Sequence, residues 1–150
     1  MKVVIQRVSE ASVHIHQEIN AVMQQGLLLF VGIENEDSKE DVEWLCRKII
    51  NMRIFGDENA AMNFSLKDVD GDAIIVSQFT LHASTKKGNR PSFIQAAKPE
   101  IAQPLYLDFI SEFEKNLGKT VGTGEFGADM KVELLNDGPV TILLDSKDRR

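Results

Sequence analysis

The sequence predicts a mixed α/β fold: one compact domain, residues 1–150, with a mixed sheet and two main helices. Three observations predict it. Short apolar or alternating runs bounded by turn residues recur from Met1–Val8 to Val140–Leu144, as strands do. Two longer segments, one after Ser38 and one after Pro99, repeat apolar residues at the helical period. The 150 residues suffice for one real core and are short for two, with no internal repeat or linker.

In chain order, Met1–Val8 is rich in β-branched residues and Ser12–His16 alternates, so they read as two strands broken near Ser9-Glu10. Leu27–Ile33 is a continuous apolar run, the pattern of a strand covered on both faces. Ser38 with Asp41 forms a capping-box pattern, and Val42, Leu45, Cys46, Ile49 and Ile50 then share one helical face. Cys46 lies on that stripe and reads as core packing, not as a nucleophile. Met52–Phe55 reads as a short strand, residues 57–72 as a hairpin or long loop, and Ala73–Val76 as a second buried strand. Ser84–Phe93 has no apolar period and reads as a functional or mobile loop.

Pro99 suits the first turn of the second helix, whose apolar face is Ala102, Leu105, Tyr106, Phe109, Phe113 and Leu117, with Gly118 as its stop. Pro104 would cost an internal hydrogen bond, which leaves the helix start open. Thr120–Phe126, Met130–Leu135 and Val140–Leu144 complete the strands. Asp137-Gly138 between the last two is a hairpin signal, Gly138-Pro139 is a candidate cis step, and the charged tail Ser146–Arg150 is expected to fray.

The net charge of −6 argues against general affinity for nucleic acid, but Lys86, Lys87 and Arg90 form a local basic cluster. The single cysteine excludes an internal disulfide and fits a reducing compartment. No run is long and apolar enough for a membrane span, so a soluble cytoplasmic protein is expected. His14 and His16 share a strand face without a third ligand nearby, so no metal is expected. Phosphate-loop, Gly-x-Ser-x-Gly and His-Glu-x-x-His patterns are absent.

The stretch that carries chemistry follows Val76. If the strand continues, Ser77, Phe79 and Leu81 share one face and Gln78, Thr80 and His82 the other. That amide, hydroxyl and imidazole row either lines a site or is a solvated strand edge. A Ser-His-acid triad is poorly supported, because no orienting acid is evident.

Ser77-Gln78-Phe79-Thr80-Leu81 together with Asn136-Asp137-Gly138-Pro139-Val140-Thr141 resembles the paired signature of the D-aminoacyl-tRNA deacylases, the D-tyrosyl-tRNA deacylase family. Val4–Val8, Gly88–Phe93 and Glu125–Met130 resemble that family as well, so the likeness spans essentially the whole chain. The resemblance implies a layered β/β/α domain and a homodimeric hydrolase; no cofactor is expected. Its expected reaction is cleavage of the ester of D-aminoacyl-tRNA and of mischarged glycyl-tRNA, with rejection of L-aminoacyl-tRNA. It implies a catalytic segment Gln78, Phe79 and Thr80. Substrate-binding positions would be Ser77, Gly138, Pro139, Phe126, Met130 and Arg7, with a cis Gly138-Pro139 step entering the partner's pocket. Lys86, Lys87 and Arg90 are then expected to meet phosphates near the acceptor end of the tRNA. Backbone N–H groups of Phe79 and Thr80, freed where the ladder stops, would hold the developing oxyanion, and the ribose 2′-OH would assist. The alternative is a non-catalytic dimeric RNA-end-binding module, for which a broad basic face would be expected.

Overall fold

The computed structural model describes residues 1–150. Its elements run β1 (Lys2–Ile15), β2 (Glu18–Met23), β3 (Gly26–Gly32), α1 (Lys39–Asn51), β4 (Phe55–Gly56), β5 (Met62–Phe64), β6 (Asp72–Ser77), α2 (Pro99–Leu117), β7 (Gly122–Thr123) and β8 (Met130–Asp145). The main sheet has the order β2-β1-β3-β6-β7, with β8 paired along β1. β3, β6 and β7 run parallel, while β1 is antiparallel to β2, β3 and β8.

The unbroken apolar runs of β3 and β6 follow from burial on both faces. Leu27, Leu29 and Val31 face a core shared with Leu45 and Ile49 of α1 and Phe109 and Phe113 of α2. Leu28, Ile74 and Val76 face a smaller core completed by Val8, Val13 and Ile15. Each large side chain so buried contributes about 1.5–3 kcal/mol. β1 serves both cores because Val8, an even position in regular pairing with β3, faces away from Val3 and Ile5. The register shift between Val8 and Glu10 then turns the odd positions to the side of Val8. Val3 and Ile5 therefore point at the helices, and Val8, Ala11 and Val13 at the second core. The layered β/β/α arrangement follows, and the mixed α/β class with two helices is as expected.

α1 carries the predicted capping box, with the Ser38 N–H donating to Asp41 Oδ2 at 2.8 Å. α2 begins at Pro99, keeps Pro104 inside it, and ends on Gly118 in the left-handed region at φ 86°. The buried Cys46 thiol lies 3.5 Å from the Phe109 carbonyl, and burial pushes its pKa far up, in keeping with a packing role. No helix is long and apolar enough to cross a membrane.

Several expectations are corrected. β1 is one strand, because the break near Ser9-Glu10 is a bulge. β2 escaped notice, since four of its six residues are exposed and its alternation is short. Strand structure in Met52–Phe55 is confined to Phe55, which with Gly56 pairs with β5 in a small hairpin. Only Gly122 and Thr123 of Thr120–Phe126 form a strand. Met130–Leu135 and Val140–Leu144 are not hairpin arms but one strand on one partner, β1. Gln6 faces Thr141 and Val8 faces Asn136, so the residues between bulge out of the ladder. The Gly138–Pro139 bond in that bulge is cis.

The tail docks instead of fraying. Ser146 is buried, Lys147 Nζ lies 2.9 Å from Asp41 Oδ2, and the Arg149 guanidinium stacks 4.9 Å over the Trp44 ring. Burial alone would raise the Asp41 pKa, but hydrogen bonds from Lys147, Ser146 and the Ser38 N–H outweigh it and hold the carboxyl well below the usual range. A depressed folded-state pKa stabilises the fold where the unfolded carboxylate is already ionised, above about pH 4, and that stability is lost as pH falls further. Lys147→Met should therefore cost about 1 kcal/mol at neutral pH, the cation being partly exposed, and should flatten the loss of stability below about pH 4. Urea unfolding at neutral and acid pH measures both effects. Equal losses in wild type and variant across that range would separate Lys147 from the acid response.

Candidate active site

Parallel strands β3 and β6 end side by side, and a crevice at the carboxyl ends of parallel strands is a common place for a ligand. Here it is a cleft of about 650 Å³. Phe30, Val76, Ala97, Phe126 and Met130 make it largely apolar, while Ser77, Gln78 and Phe79 form one edge.

That edge is not the continued strand the alternation predicts. The Gln78 N–H donates to the Val31 carbonyl at 2.8 Å, the last step toward β3, and the chain then coils into a 3-10 turn, Phe79–His82. The coil turns Leu81 and His82 back toward β3. A Cβ on Gly32 would sit 2.9 Å from the Gln78 carbonyl and from Leu81 Cβ, and 3.2 Å from His82 Cδ2. His82 is therefore not in a row with Gln78 and Thr80: it is buried, with Nε2 unpartnered. Phe79 and Thr80 occupy the opening positions of the turn, where N–H groups have no partner within it. Gln78 Nε2 donates to Thr80 Oγ1 at 2.6 Å, tying the two side chains together. The exposed Phe79 ring meets Phe93 edge to face at 5.1 Å across the cleft mouth.

The far wall is anchored from the core. The Tyr106 hydroxyl donates to the Ile75 carbonyl at 2.7 Å, and burial pushes its pKa up to about 12, so it stays protonated. Its ring packs against Phe126 at 6.0 Å. The charged groups lining the cleft are Lys98 and Asp129, both exposed, and Asp129 pairs with Lys131 at 3.0 Å.

Arg7, Gly138 and Pro139 do not line this cleft. They form a second assembly at the bulge of β8. Arg7 Nε donates to the Asp137 carbonyl at 3.0 Å and Nη1 to the Ile54 carbonyl at 2.5 Å. Asn136 Oδ1 accepts the Val140 N–H at 2.9 Å, and Asn136 Nδ2 and Thr141 Oγ1 both bond Gln6 Oε1. Gly138, at φ 129°, is exposed, and a Cβ there would come within 2.8 Å of Arg7 Nη2. The result is a projecting turn on a braced base. Lys86, Lys87 and Arg90 lie exposed on a loop pinned at its neck by the mutual hydrogen bonds of Ser84 and Ser92, each 2.8 Å.

Sequence reasoning missed Ala97 and Lys98 as cleft residues, and Gln6 as a brace. Asn136 and Thr141 stood in the quoted signature without a role, whereas Gln6 becomes visible only through strand pairing. His14 bonds Ser12 at 3.0 Å and lies 3.7 Å from Glu133, while His16 leaves the strand at φ 50°. No group of three His, Cys, Asp or Glu side chains is placed to hold a metal ion.

Fold and site define an α/β protein with an apolar cleft edged by amide and hydroxyl groups. The family model described as D-Tyr-tRNA(Tyr) deacylase matches residues 4–145. A D-aminoacyl-tRNA deacylase of Christiangramia forsetii is 72% identical over all of both chains, and one of Flavobacterium johnsoniae is 64% identical over 99% of each. Among solved structures, a c-Myc DNA unwinding element binding protein superposes with TM-score 0.92 at 39% identity, covering 97% of this chain and 98% of its own. A probable eukaryotic D-amino acid tRNA deacylase shares the fold with TM-score 0.82 at 17% identity, covering 95% and 97%. The chain belongs to the D-tyrosyl-tRNA deacylase family, and it is an enzyme, a D-aminoacyl-tRNA hydrolase of tRNA editing.

The close approach at Gly32 yields a structural prediction. Gly32→Ala should push the 3-10 turn off β3 by a few tenths of an ångström or more, since backbone and Cβ atoms block the new methyl group. Amide chemical shifts should change at residues 78–82 and little elsewhere. An unmoved turn in a crystal structure of the variant would show that Gly32 does not set its position.

Proposed function

We propose that the 3-10 turn is the catalytic edge and that the ester of a D-aminoacyl-tRNA lies across it, its amino acid in the cleft beside Ser77, Phe126 and Met130. One observation carries this reading: Gln78 and Phe79 line the apolar cleft where the turn opens, and Thr80, the next residue and itself outside the lining, is tied to Gln78. Ester hydrolysis places negative charge on the carbonyl oxygen, and fixed N–H donors aimed there are worth about 2.7–4 kcal/mol each. Neither a histidine nor a cysteine lines the cleft. In this reading Thr80 positions the ester, and the ribose 2′-OH, donor and acceptor beside the reacting carbon, assists water.

Selectivity needs a wall that one configuration cannot pass. In this reading the Gly138–Pro139 turn of one subunit supplies that wall in the cleft of the other. Its support is geometric: the turn projects, stands outside its own cleft and is braced by Arg7, Asn136 and Gln6. The proposed homodimer is also supported by Ile19 and Val22 of β2 and Leu135 and Leu143 of β8, which remain exposed. A wall of this kind admits glycine, which has no side chain to clash, so glycyl-tRNA is a second substrate of the reading. The alternative is a non-catalytic dimeric RNA-end-binding module, and the structural relative named as a DNA unwinding element binding protein speaks for nucleic-acid binding of some kind. The net charge of −6 supports that alternative less well than a local contact at Lys86, Lys87 and Arg90.

Incubation with D-tyrosyl-tRNA and L-tyrosyl-tRNA tests the reading: the D-ester should be lost and the L-ester kept, and survival of both would leave only the binding module. Thr80→Val removes one hydrogen bond and should slow turnover roughly tenfold, with residual activity and no acyl group trapped on residue 80. Gly138→Ala meets both the positive φ and Arg7, so the turn must move and discrimination between D- and L-esters should relax; retained discrimination would take the turn out of the mechanism. For the loop, the Lys86→Ala, Lys87→Ala double variant should flatten the salt dependence of tRNA binding by roughly two logarithmic units, and an unchanged slope would remove the loop from the interface.

A further inference from the structure

A second cationic surface lies on α1, away from the cleft. Trp44, Arg47, Lys48 and Asn51 share one helical face and, with Met52 and Arg53, line an open groove of about 400 Å³. Lys48 lies 5.9 Å from the Trp44 ring centroid. The neighbouring Arg149 is paired with Glu40, whereas Arg47 and Lys48 make no ion pair, and Arg53 donates Nε to the Asn63 carbonyl while its charge is felt by Asp68. In a chain of net charge −6, three cations converging on one groove with an amide and an indole form a local anion surface.

The position of the groove selects its occupant. Arg53 immediately precedes Ile54, whose carbonyl is held by the same Arg7 guanidinium that holds the Asp137 carbonyl beneath Gly138. The groove therefore adjoins the projecting turn. On the proposed function, on which this step rests, that turn enters the partner's cleft, so the groove stands beside a tRNA end bound to the other subunit.

We infer that the Trp44–Arg53 groove is a phosphate-backbone site for the double-stranded acceptor stem of the tRNA whose ester occupies the partner's cleft. A-form RNA is held mainly through phosphates and 2′-hydroxyls, which suits guanidinium, ammonium and amide donors without base reading. The catalytic edge meets the last nucleotide in one subunit, and the groove meets the stem from the other. An acidic protein segment is the competing occupant. RNA is favoured because the groove adjoins the turn that this reading places in the RNA-binding cleft.

The test compares two substrates. Arg47→Gln, Lys48→Gln, both exposed and both keeping helical propensity, is assayed on full-length D-tyrosyl-tRNA and on the D-tyrosyl ester of adenosine, which has no stem. kcat/KM on the tRNA should fall roughly tenfold near physiological salt, its salt dependence should flatten by roughly two logarithmic units, and the adenosine ester should be cleaved as by wild type. Equal losses on both substrates would overturn the inference, since the change would then act through the cleft. Unchanged kinetics on the tRNA would also overturn it and leave the groove to an acidic protein segment. Failure of the wild type to cleave either D-ester would overturn the proposed function itself, and is told apart by needing no variant.

Discussion

The hydrogen bond from the Gln78 N–H to the Val31 carbonyl marks where sheet order stops and the 3-10 turn at the cleft edge begins. Up to Ser77, β6 is locked against β3 by regular parallel pairing and by apolar packing on both faces. One residue later the chain coils, and donors that a longer ladder would have consumed are left at a cleft mouth. The turn is thus anchored to the core, because Phe79 and Thr80 follow directly on residues hydrogen-bonded to β3. Preorganisation of this kind is what makes N–H donors effective toward developing charge. Gly32 is the matching constraint on the opposite strand, since only a missing Cβ lets the coil lie this close to β3.

The long strand β1 links that site to the second assembly. Its bulges transfer its apolar side chains from the helix-facing core to the smaller one, and at the same place β8 throws out Gly138 and Pro139. A register change in one strand thereby builds two features together, a core that wraps both faces of β3 and a turn that leaves the surface. Arg7 is the joint: its guanidinium reaches Ile54 after α1 and Asp137 in β8, so the turn is tied to the helical layer as well as to the sheet.

The buried elements were legible in the sequence because burial leaves a period. The runs of β3 and β6, the capped stripe of α1 and the Gly118 stop of α2 all read correctly for that reason. The failures lie where pairing overrides local pattern. Asp137-Gly138 signals a hairpin when its neighbours alone are considered, and only the long reach of β1 makes both flanks one strand. The alternation from Ser77 to His82 placed three polar groups in a row, but the chain coiled and carried His82 into the interior. Ser77, Gln78, Phe79, Phe126 and Met130, named through the family likeness, do meet at one cleft, whereas Gln6 and the α1 groove were not legible, because nothing local distinguishes a bracing glutamine or a convergent cation from any exposed polar residue.

An acidic protein that acts on a polyanion must concentrate its cations, since a diffuse negative field repels the substrate from everywhere else. The 17 Lys and Arg residues are outnumbered by 23 Asp and Glu, and many cations are spent on internal ties: Lys119 on Asp70 and Asp72, Lys147 on Asp37 and Asp41, Arg7 on Asp137. Those without a carboxylate partner include the 84–92 loop and the α1 groove, at two separate places on the surface. Two localised anchors hold an extended ligand in one orientation, and repulsion elsewhere discourages other poses. On the dimeric reading the anchors belong to different subunits, so a complete surface for the tRNA exists only when two chains meet. On the same reading the partner's turn would complete the cleft, and selectivity and affinity would then both depend on one assembly.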